Sequence, residues 1–249
     1  YRLYEELGTR TCMKYLEALN FKGLDKKDYK YNTTCLGGFT NGTTVVEMAA
    51  GYATIANDGE YRTPDCIIKI TDAKGNDIVP EDTSTKSVYS SSASRMMTSV
   101  LQSCVTEYGG TAHVCQLDVD MPAACKTGTT NNYVDGWLCG YTPYYTTAVW
   151  VGMDVYKSVD NLKGNTYPAS IWTNYMNKIH QGLPRKEFES YLGDTESTTE
   201  ATTESTEDDT ESTTEATTEV IEDDDTTSNT TEADDSGNDS NNYYDQDDY

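Results

Sequence analysis

The sequence predicts an α+β domain over residues 1–190 followed by a disordered acidic tail over residues 191–249. Three observations carry that division. Residues 45–56 and 91–107 repeat apolar side chains at the three- and four-residue spacing of amphipathic helices. Residues 134–142 and 144–154 alternate as two strands about a Thr142-Pro-Tyr144 turn. From about Asp194 onward the composition collapses to Thr, Glu, Asp, Ser and Asn. Helices, an antiparallel hairpin and a closing helix make α+β rather than a parallel α/β fold.

Taken in order, residues 10–19 place Cys12, Tyr15, Leu16 and Leu19 on one helical face, with Thr9 as the expected N-cap. After a polar loop, Thr44 opens a capping box, because Glu47 stands three residues on and can reach back to the cap's amide. The helix that follows shows Val45, Ala49, Tyr52, Ala53 and Ala56 on one side and stops at Asp58-Gly59. Its small residues suggest close approach to a neighbour. Residues 66–71 and 77–79 read as short strands around an Ala73-Lys-Gly-Asn76 turn. A serine cluster then caps the second long helix, whose expected inner face is Ala93, Met96, Met97, Val100, Leu101, Cys104 and Val105. Residues 123–130 read as a strand running into an Asn131-Asn132 turn. A last helix near 169–180 carries Ile171, Trp172, Tyr175, Met176 and Ile179 together, and stops at Gly182 and Pro184.

Charge separates the two parts. All 18 Lys and Arg lie at or before Lys186, while the 42 acids divide evenly, 21 on each side of residue 190. The body is therefore close to neutral, which argues against a nucleic-acid binder with its basic face. The tail repeats TESTTEATTE at Thr195–Glu204 and Thr210–Glu219 without any hydrophobic period. Such a segment cannot bury enough surface to offset ordering entropy, so it reads as a disordered spacer.

Seven cysteines, widely spaced and without a C-x-x-C pair, fit neither a zinc site nor a redox motif. They read as buried small hydrophobes, with one disulfide left open and its partners unassigned. The two histidines, His113 and His180, form no cluster with them, and the acidic tail holds no Ca²⁺ loop. Neither a metal nor a cofactor is expected. Trp137, Tyr141, Tyr145 and Trp150 are read as packing residues ahead of a carbohydrate face.

Only Lys126-Thr127-Gly128-Thr129 looks like a site. Alone, the tetrapeptide reads as a strand ending in a polar turn. K-T-G is also one of three signatures of serine β-lactamases and penicillin-binding proteins, beside S-x-x-K and S-D-N. The flanks narrow the choice. Leu36-Gly-Gly with Thr44–Gly59, Lys126–Asn131 with Asp135-Gly-Trp-Leu-Cys-Gly-Tyr-Thr-Pro143, Ala148–Asp154 and Pro168–Trp172 together resemble the class A penicillin-binding proteins, in order and spacing from about residue 1 to 180. The resemblance implies the C-terminal part of a β-lactamase-like D,D-transpeptidase fold.

It further implies that Lys126 supplies fixed positive charge, that the Thr127 and Thr129 hydroxyls bond a substrate or β-lactam carboxylate, and that Gly128 lets the acyl group lie close to the strand. The N–H of Thr129 would complete an oxyanion hole. The implied partners are peptidoglycan stem peptides and β-lactams, outside the bacterial cell membrane. The family's Ser-x-x-Lys is absent, and Ser-x-Asn occurs only at Ser236 and Ser240 in the tail. The chain therefore reads as truncated upstream of its serine, inactive alone, with any membrane anchor or glycosyltransferase domain also upstream. A β-lactamase or D,D-carboxypeptidase of the same fold, and a non-catalytic wall-associated relic, are the alternatives. Strict alternation would put Lys126 and Gly128 opposite Thr127 and Thr129.

Overall fold

The computed structural model describes residues 1–67, 69–79 and 84–191, so the acidic segment expected to be disordered lies outside the described residues. In chain order the elements are α1 (Arg2–Leu7), α2 (Thr9–Ala18), α3 (Val45–Ala56), β1 (Glu60–Tyr61), β2 (Ile70–Thr71), β3 (Asp77–Val79), β4 (Lys86–Ser87), α4 (Ser91–Thr106), β5 (Ala124–Thr129), β6 (Asp135–Tyr141), β7 (Thr146–Gly152) and α5 (Tyr167–Ile179). Short 3-10 turns lie at Asn32–Leu36, His113–Cys115 and Asn131–Tyr133. The α+β expectation holds.

The centre is an antiparallel meander in the order β5-β6-β7, while β1 pairs with β4 and β2 with β3. Alternation divides the meander's two faces. Cys125 and Leu138 join Ala169, Trp172 and Met176 of α5 in the main core, whereas Ala124 and Tyr141 pack with Leu101 of α4 and Tyr52 and Ile55 of α3. Helix α5 thus covers one face and α3 with α4 the other. Trp172, fully buried, also donates its indole N–H to the Thr147 carbonyl at 3.2 Å.

The capping box forms as expected. Thr44 Oγ1 accepts from the Glu47 N–H at 3.2 Å, and the Glu47 carboxylate accepts from the Thr44 N–H at 2.9 Å. The other cap expectation fails: Gly8 caps α2 and Thr9 is its first helical residue, because the left-handed φ of 80° that separates α1 from α2 suits glycine. The strand expected at 66–71 shortens to Ile70–Thr71.

Helix faces were the weaker expectation. In α2 the buried residue is Met13, while Tyr15 is exposed and stacks on Tyr89 with ring centroids 5.4 Å apart. In α3 the buried stripe is Ala50, Gly51 and Thr54, because a helix apolar nearly all round offers periodicity little contrast. In α5, Pro168, Ala169, Trp172 and Met176 are buried, and Ile171 and Tyr175 are not. The largest rotation is in α4, where Ser94, Thr98, Leu101 and Val105 turn inward and Met96, Met97 and Val100 stand 54%, 45% and 55% exposed. A polar stripe goes inside because Tyr141 needs a partner there. Thr98 donates to the Ser94 carbonyl at 2.9 Å, so the buried Tyr141 hydroxyl donates to Thr98 Oγ1 at 2.8 Å.

One buried carboxylate organises the loop before α3. Asp28 is 1% exposed and accepts from the N–H of Asp25 at 2.9 Å, the N–H of Thr40 at 2.8 Å and the Thr40 hydroxyl at 2.6 Å. Burial pushes its pKa up, but those three donors outweigh it and hold the carboxyl below its ordinary value. A depressed folded pKa gives stability that is present above the unfolded value of about 3.9 and is lost as pH falls through the folded one. Asp28→Asn is accordingly expected to lower the unfolding midpoint near neutral pH and to flatten its decline in acid. Thermal unfolding followed across the acid range checks both.

Candidate active site

Strand β5 leaves the core as it runs. Ala124 and Cys125 are fully buried, Lys126 is exposed, and Thr127 and Gly128 are half-buried. The register pairs Lys126 with Cys139, Thr127 with Leu138, Gly128 with Trp137 and Thr129 with Gly136. Since Leu138 packs on α5, Thr127 and Thr129 share the α5 face, and Lys126 and Gly128 lie on the opposite one. The alternation expected from sequence is therefore present.

How both sets can serve one site follows from the edge of the sheet. Among the described residues β5 is an outer strand. The Thr130 N–H donates to the Asp135 carbonyl at 3.0 Å, which marks that pair as one that exchanges ladder bonds. In an antiparallel ladder such pairs alternate, so Gly128 and Lys126 also bond to β6. The main-chain groups of Thr127 and Thr129 then point out along the open edge. Lys126 curls over the same edge, its Nζ donating to the Thr127 carbonyl at 2.7 Å. A cation, two outward carbonyls and two outward amides line one rim.

The hydroxyls are fixed from the α5 side. Thr127 Oγ1 donates to Thr111 Oγ1 at 2.9 Å, just ahead of the His113–Cys115 turn. Thr129 Oγ1 accepts from the Gly164 N–H at 3.0 Å. Gly164 belongs to a strap between β7 and α5 whose Leu162 is fully buried. The strap crosses β5 backbone to backbone: a Cβ on Gly164 would lie 2.6 Å from the Trp137 carbonyl oxygen and 2.7 and 2.8 Å from the O and N of Gly128. Gly128 is confined as well, for its own Cβ would meet that of Trp137 at 3.2 Å. With its oxygen accepting from Gly164, the Thr129 hydroxyl keeps its proton to donate.

A second clamp closes the strand's end. Asp135 accepts the Trp150 indole N–H at 2.9 Å through one oxygen and the Thr130 hydroxyl at 3.2 Å through the other, while the Asp135 N–H donates to Thr130 Oγ1 at 2.8 Å. The turn beyond holds Asn132 and Tyr133 in left-handed conformations, at φ of 60° and 55°. That is unusual for two successive residues with side chains, and the Val159 N–H bonding the Tyr133 carbonyl at 3.0 Å helps to hold it. Trp137 and Trp150 form a tilted pair, with centroids 6.5 Å apart, on the face shared with Lys126 and Gly128.

This rim can hold an anion and polarise a carbonyl, but it contains no activated nucleophile. Thr111, Asp135 and Gly164 were not singled out in the sequence. Thr111 and Gly164 carry no local signal, since their roles arise from packing against a strand distant in the chain.

Residues 1–181 match the penicillin binding protein transpeptidase domain as a family. The chain belongs to that family. Among curated relatives of this penicillin-binding transpeptidase family, Penicillin-binding protein 4 of Bacillus subtilis is 33% identical over 171 residues, covering 69% of this chain and 27% of that protein. Penicillin-binding protein 1A of Clostridium botulinum is 31% identical over 189 residues, covering 76% of this chain and 22% of that protein. The chain thus spans about a quarter of the length of these relatives. Among solved structures, PonA1 of Mycobacterium tuberculosis in complex with penicillin V superposes at a TM-score of 0.59 and 25% identity, over 70% of this chain and 50% of that one. Penicillin-binding protein 1A of Haemophilus influenzae gives a TM-score of 0.61 at 21% identity, covering 76% of this chain and 33% of the other, and shares the fold.

Proposed function

We propose that the chain is the anion-binding half of a serine D,D-transpeptidase that cross-links peptidoglycan stem peptides outside the bacterial membrane and is acylated by β-lactams. The observation that carries the reading is the open edge of β5, where the Lys126 ammonium lies over the Thr127 carbonyl and the Thr129 N–H points outward, with the Thr129 hydroxyl held on the α5 face.

The nucleophile comes from outside residues 1–249, since no Ser-x-x-Lys occurs within them. In the assembled site that serine attacks the carbonyl of the penultimate D-Ala and expels the terminal D-Ala, and an amine of a neighbouring strand then takes the acyl group. Lys126 and Thr129 hold the donor's carboxylate, Thr127 joins them once its hydroxyl turns from Thr111, and the β5 edge pairs with the donor's backbone. The Thr129 N–H stabilises the oxyanion, an interaction worth roughly 2.7–4 kcal/mol per donor. Gly128 leaves room for the acyl group to lie against the strand.

Fluorescent penicillin tests this directly. The 249-residue chain is expected to form no denaturation-resistant adduct, and the full-length protein that joins it to a Ser-x-x-Lys segment is expected to form one. An adduct on the isolated chain, or none on the full-length protein, overturns the reading. Steady turnover of the β-lactam by the full-length protein would assign a hydrolase instead.

A further inference from the structure

The hydroxyls of Thr127 and Thr129 share one face of β5 but are held in opposite senses. The Thr129 oxygen accepts the Gly164 N–H at 3.0 Å, which leaves its proton for a ligand. Thr127 commits its proton instead. Its hydroxyl donates to Thr111 Oγ1 at 2.9 Å, and among the described residues its oxygen accepts from no donor.

The Thr111 hydroxyl is placed to remove that asymmetry. Among the described residues its oxygen makes no hydrogen bond but the one from Thr127, so its own proton has no protein acceptor. The side chain is exposed, yet the backbone beneath it is fixed. The Gly110 N–H donates to the Glu107 carbonyl at 2.9 Å and the Ala112 N–H to the Cys104 carbonyl at 3.0 Å, so both neighbours of Thr111 are tied to the end of α4. A Cβ on Gly110 would lie 2.3 Å from the Cys104 carbonyl oxygen, which requires glycine at that crossing. Ala112 and Cys115 are fully buried, and the Thr173 hydroxyl of α5 donates to the Val114 carbonyl at 3.1 Å. Held by α4 on one side and α5 on the other, the turn offers Thr111 to the first strand of the meander as a rigid scaffold offers a binding residue.

We propose that Thr111 is a positioning residue for the carboxylate of the donor peptide or β-lactam, acting by reversal of its hydrogen bond with Thr127. The inference rests on the reading above for the identity of the ligand. In the geometry seen here Thr127 donates and Thr111 accepts. When a carboxylate reaches the edge of β5, the Thr127 O–H turns to it and the Thr111 O–H turns to Thr127 Oγ1. One O–H···O bond is exchanged for its reverse across the same two oxygens. Only hydroxyl protons rotate, each about its own Cβ–Oγ bond, and none leaves its oxygen.

Reversal makes Thr127 the counterpart of Thr129, with an oxygen that accepts from the protein and a proton that goes to the ligand. An oxygen that accepts one bond while donating another is polarised by the first, so the bond to the carboxylate gains strength. Gly164 does this for Thr129 through a fixed N–H, and Thr111 does it for Thr127 through a proton that can turn.

The test measures rate constants for acylation of the full-length protein by fluorescent penicillin, beside unfolding midpoints, for Thr111→Val, Thr111→Ser, Thr127→Val and the Thr111→Val/Thr127→Val double variant. Valine keeps the branched shape of threonine and removes the hydroxyl, whereas serine keeps the hydroxyl. Thr111→Val is expected to slow acylation roughly fivefold, the scale of one neutral hydrogen bond. Thr111→Ser should restore the rate. In the Thr127→Val background the Thr111 substitution should change nothing further, because no hydroxyl is left to position. Unchanged acylation in Thr111→Val overturns the proposal. Faster acylation does so too, since Thr111 would then only compete with the ligand for the Thr127 proton. A serine variant as slow as the valine one, or equal slowing in the Thr127→Val background, makes Thr111 a structural residue and overturns it as well. A wild-type protein that penicillin fails to label overturns the enzyme reading and this role with it, whereas a labelled wild type beside an unslowed Thr111→Val overturns the role alone.

Discussion

Replacing Lys126 by methionine in the full-length protein is expected to slow acylation by penicillin roughly 100-fold or more, the scale on which loss of one preorganised electrostatic group acts. Methionine keeps most of the aliphatic stem and removes the charge together with its N–H donors. The effect should fall on chemistry rather than folding, since Lys126 is exposed where β5 leaves the core and its hydrogen bond goes to the neighbouring carbonyl of Thr127. Rate constants for acylation, measured beside the unfolding midpoint, separate the two. A midpoint that stays in place while acylation collapses supports the assignment. Unchanged acylation would remove Lys126 from the site, and a matching fall in the midpoint would make it a structural residue.

Gly164→Ala is expected to do damage of both kinds. The added methyl would sit 2.6–2.8 Å from backbone atoms of Trp137 and Gly128, which cannot rotate away as a flexible side chain would. Either the strap lifts or β5 bends. Overpacking of this sort costs about 1–3 kcal/mol of stability. Lifting the strap also takes the Gly164 N–H from Thr129 Oγ1 and frees the hydroxyl to turn. Loss of one hydrogen bond to a charged ligand slows acylation roughly tenfold. A double-mutant cycle with Thr129→Val distinguishes the routes. If the strap acts through the Thr129 hydroxyl, the two substitutions together should slow acylation little more than the worse of them alone. Additive effects would mean that Gly164 acts on the strand in another way.

Much of this was legible before any coordinates. The capping box at Thr44 and Glu47, the β6–β7 hairpin and the strand before it are local features, written in neighbouring residues. The inward faces of the helices were not. In α4 the stripe Ser94–Thr98–Leu101–Val105 goes inside although Met96, Met97 and Val100 are more apolar, because the Tyr141 hydroxyl awaits it there. Such a preference depends on a residue more than forty positions away along the chain. The site divides likewise. Lys126 to Thr129 stood out through the resemblance of their flanks to the class A penicillin-binding proteins, whereas Gly164 and Thr111 acquire roles only when the fold sets them against that strand.

The bond from Gly164 to Thr129 has a bearing on which ligands the rim will refuse. A hydroxyl whose oxygen accepts from a fixed N–H has its proton free to donate, on the strand whose edge carries the Lys126 ammonium. The Thr129 hydroxyl, the Thr129 N–H and the Lys126 ammonium are then donors, beside the outward carbonyls of Thr127 and Thr129. A free carboxylate brings two acceptor oxygens and a negative charge to those donors, whereas a carboxamide brings one acceptor oxygen and no charge for the ammonium. By fixing that hydroxyl, the strap biases the edge toward chain ends that carry a free carboxylate.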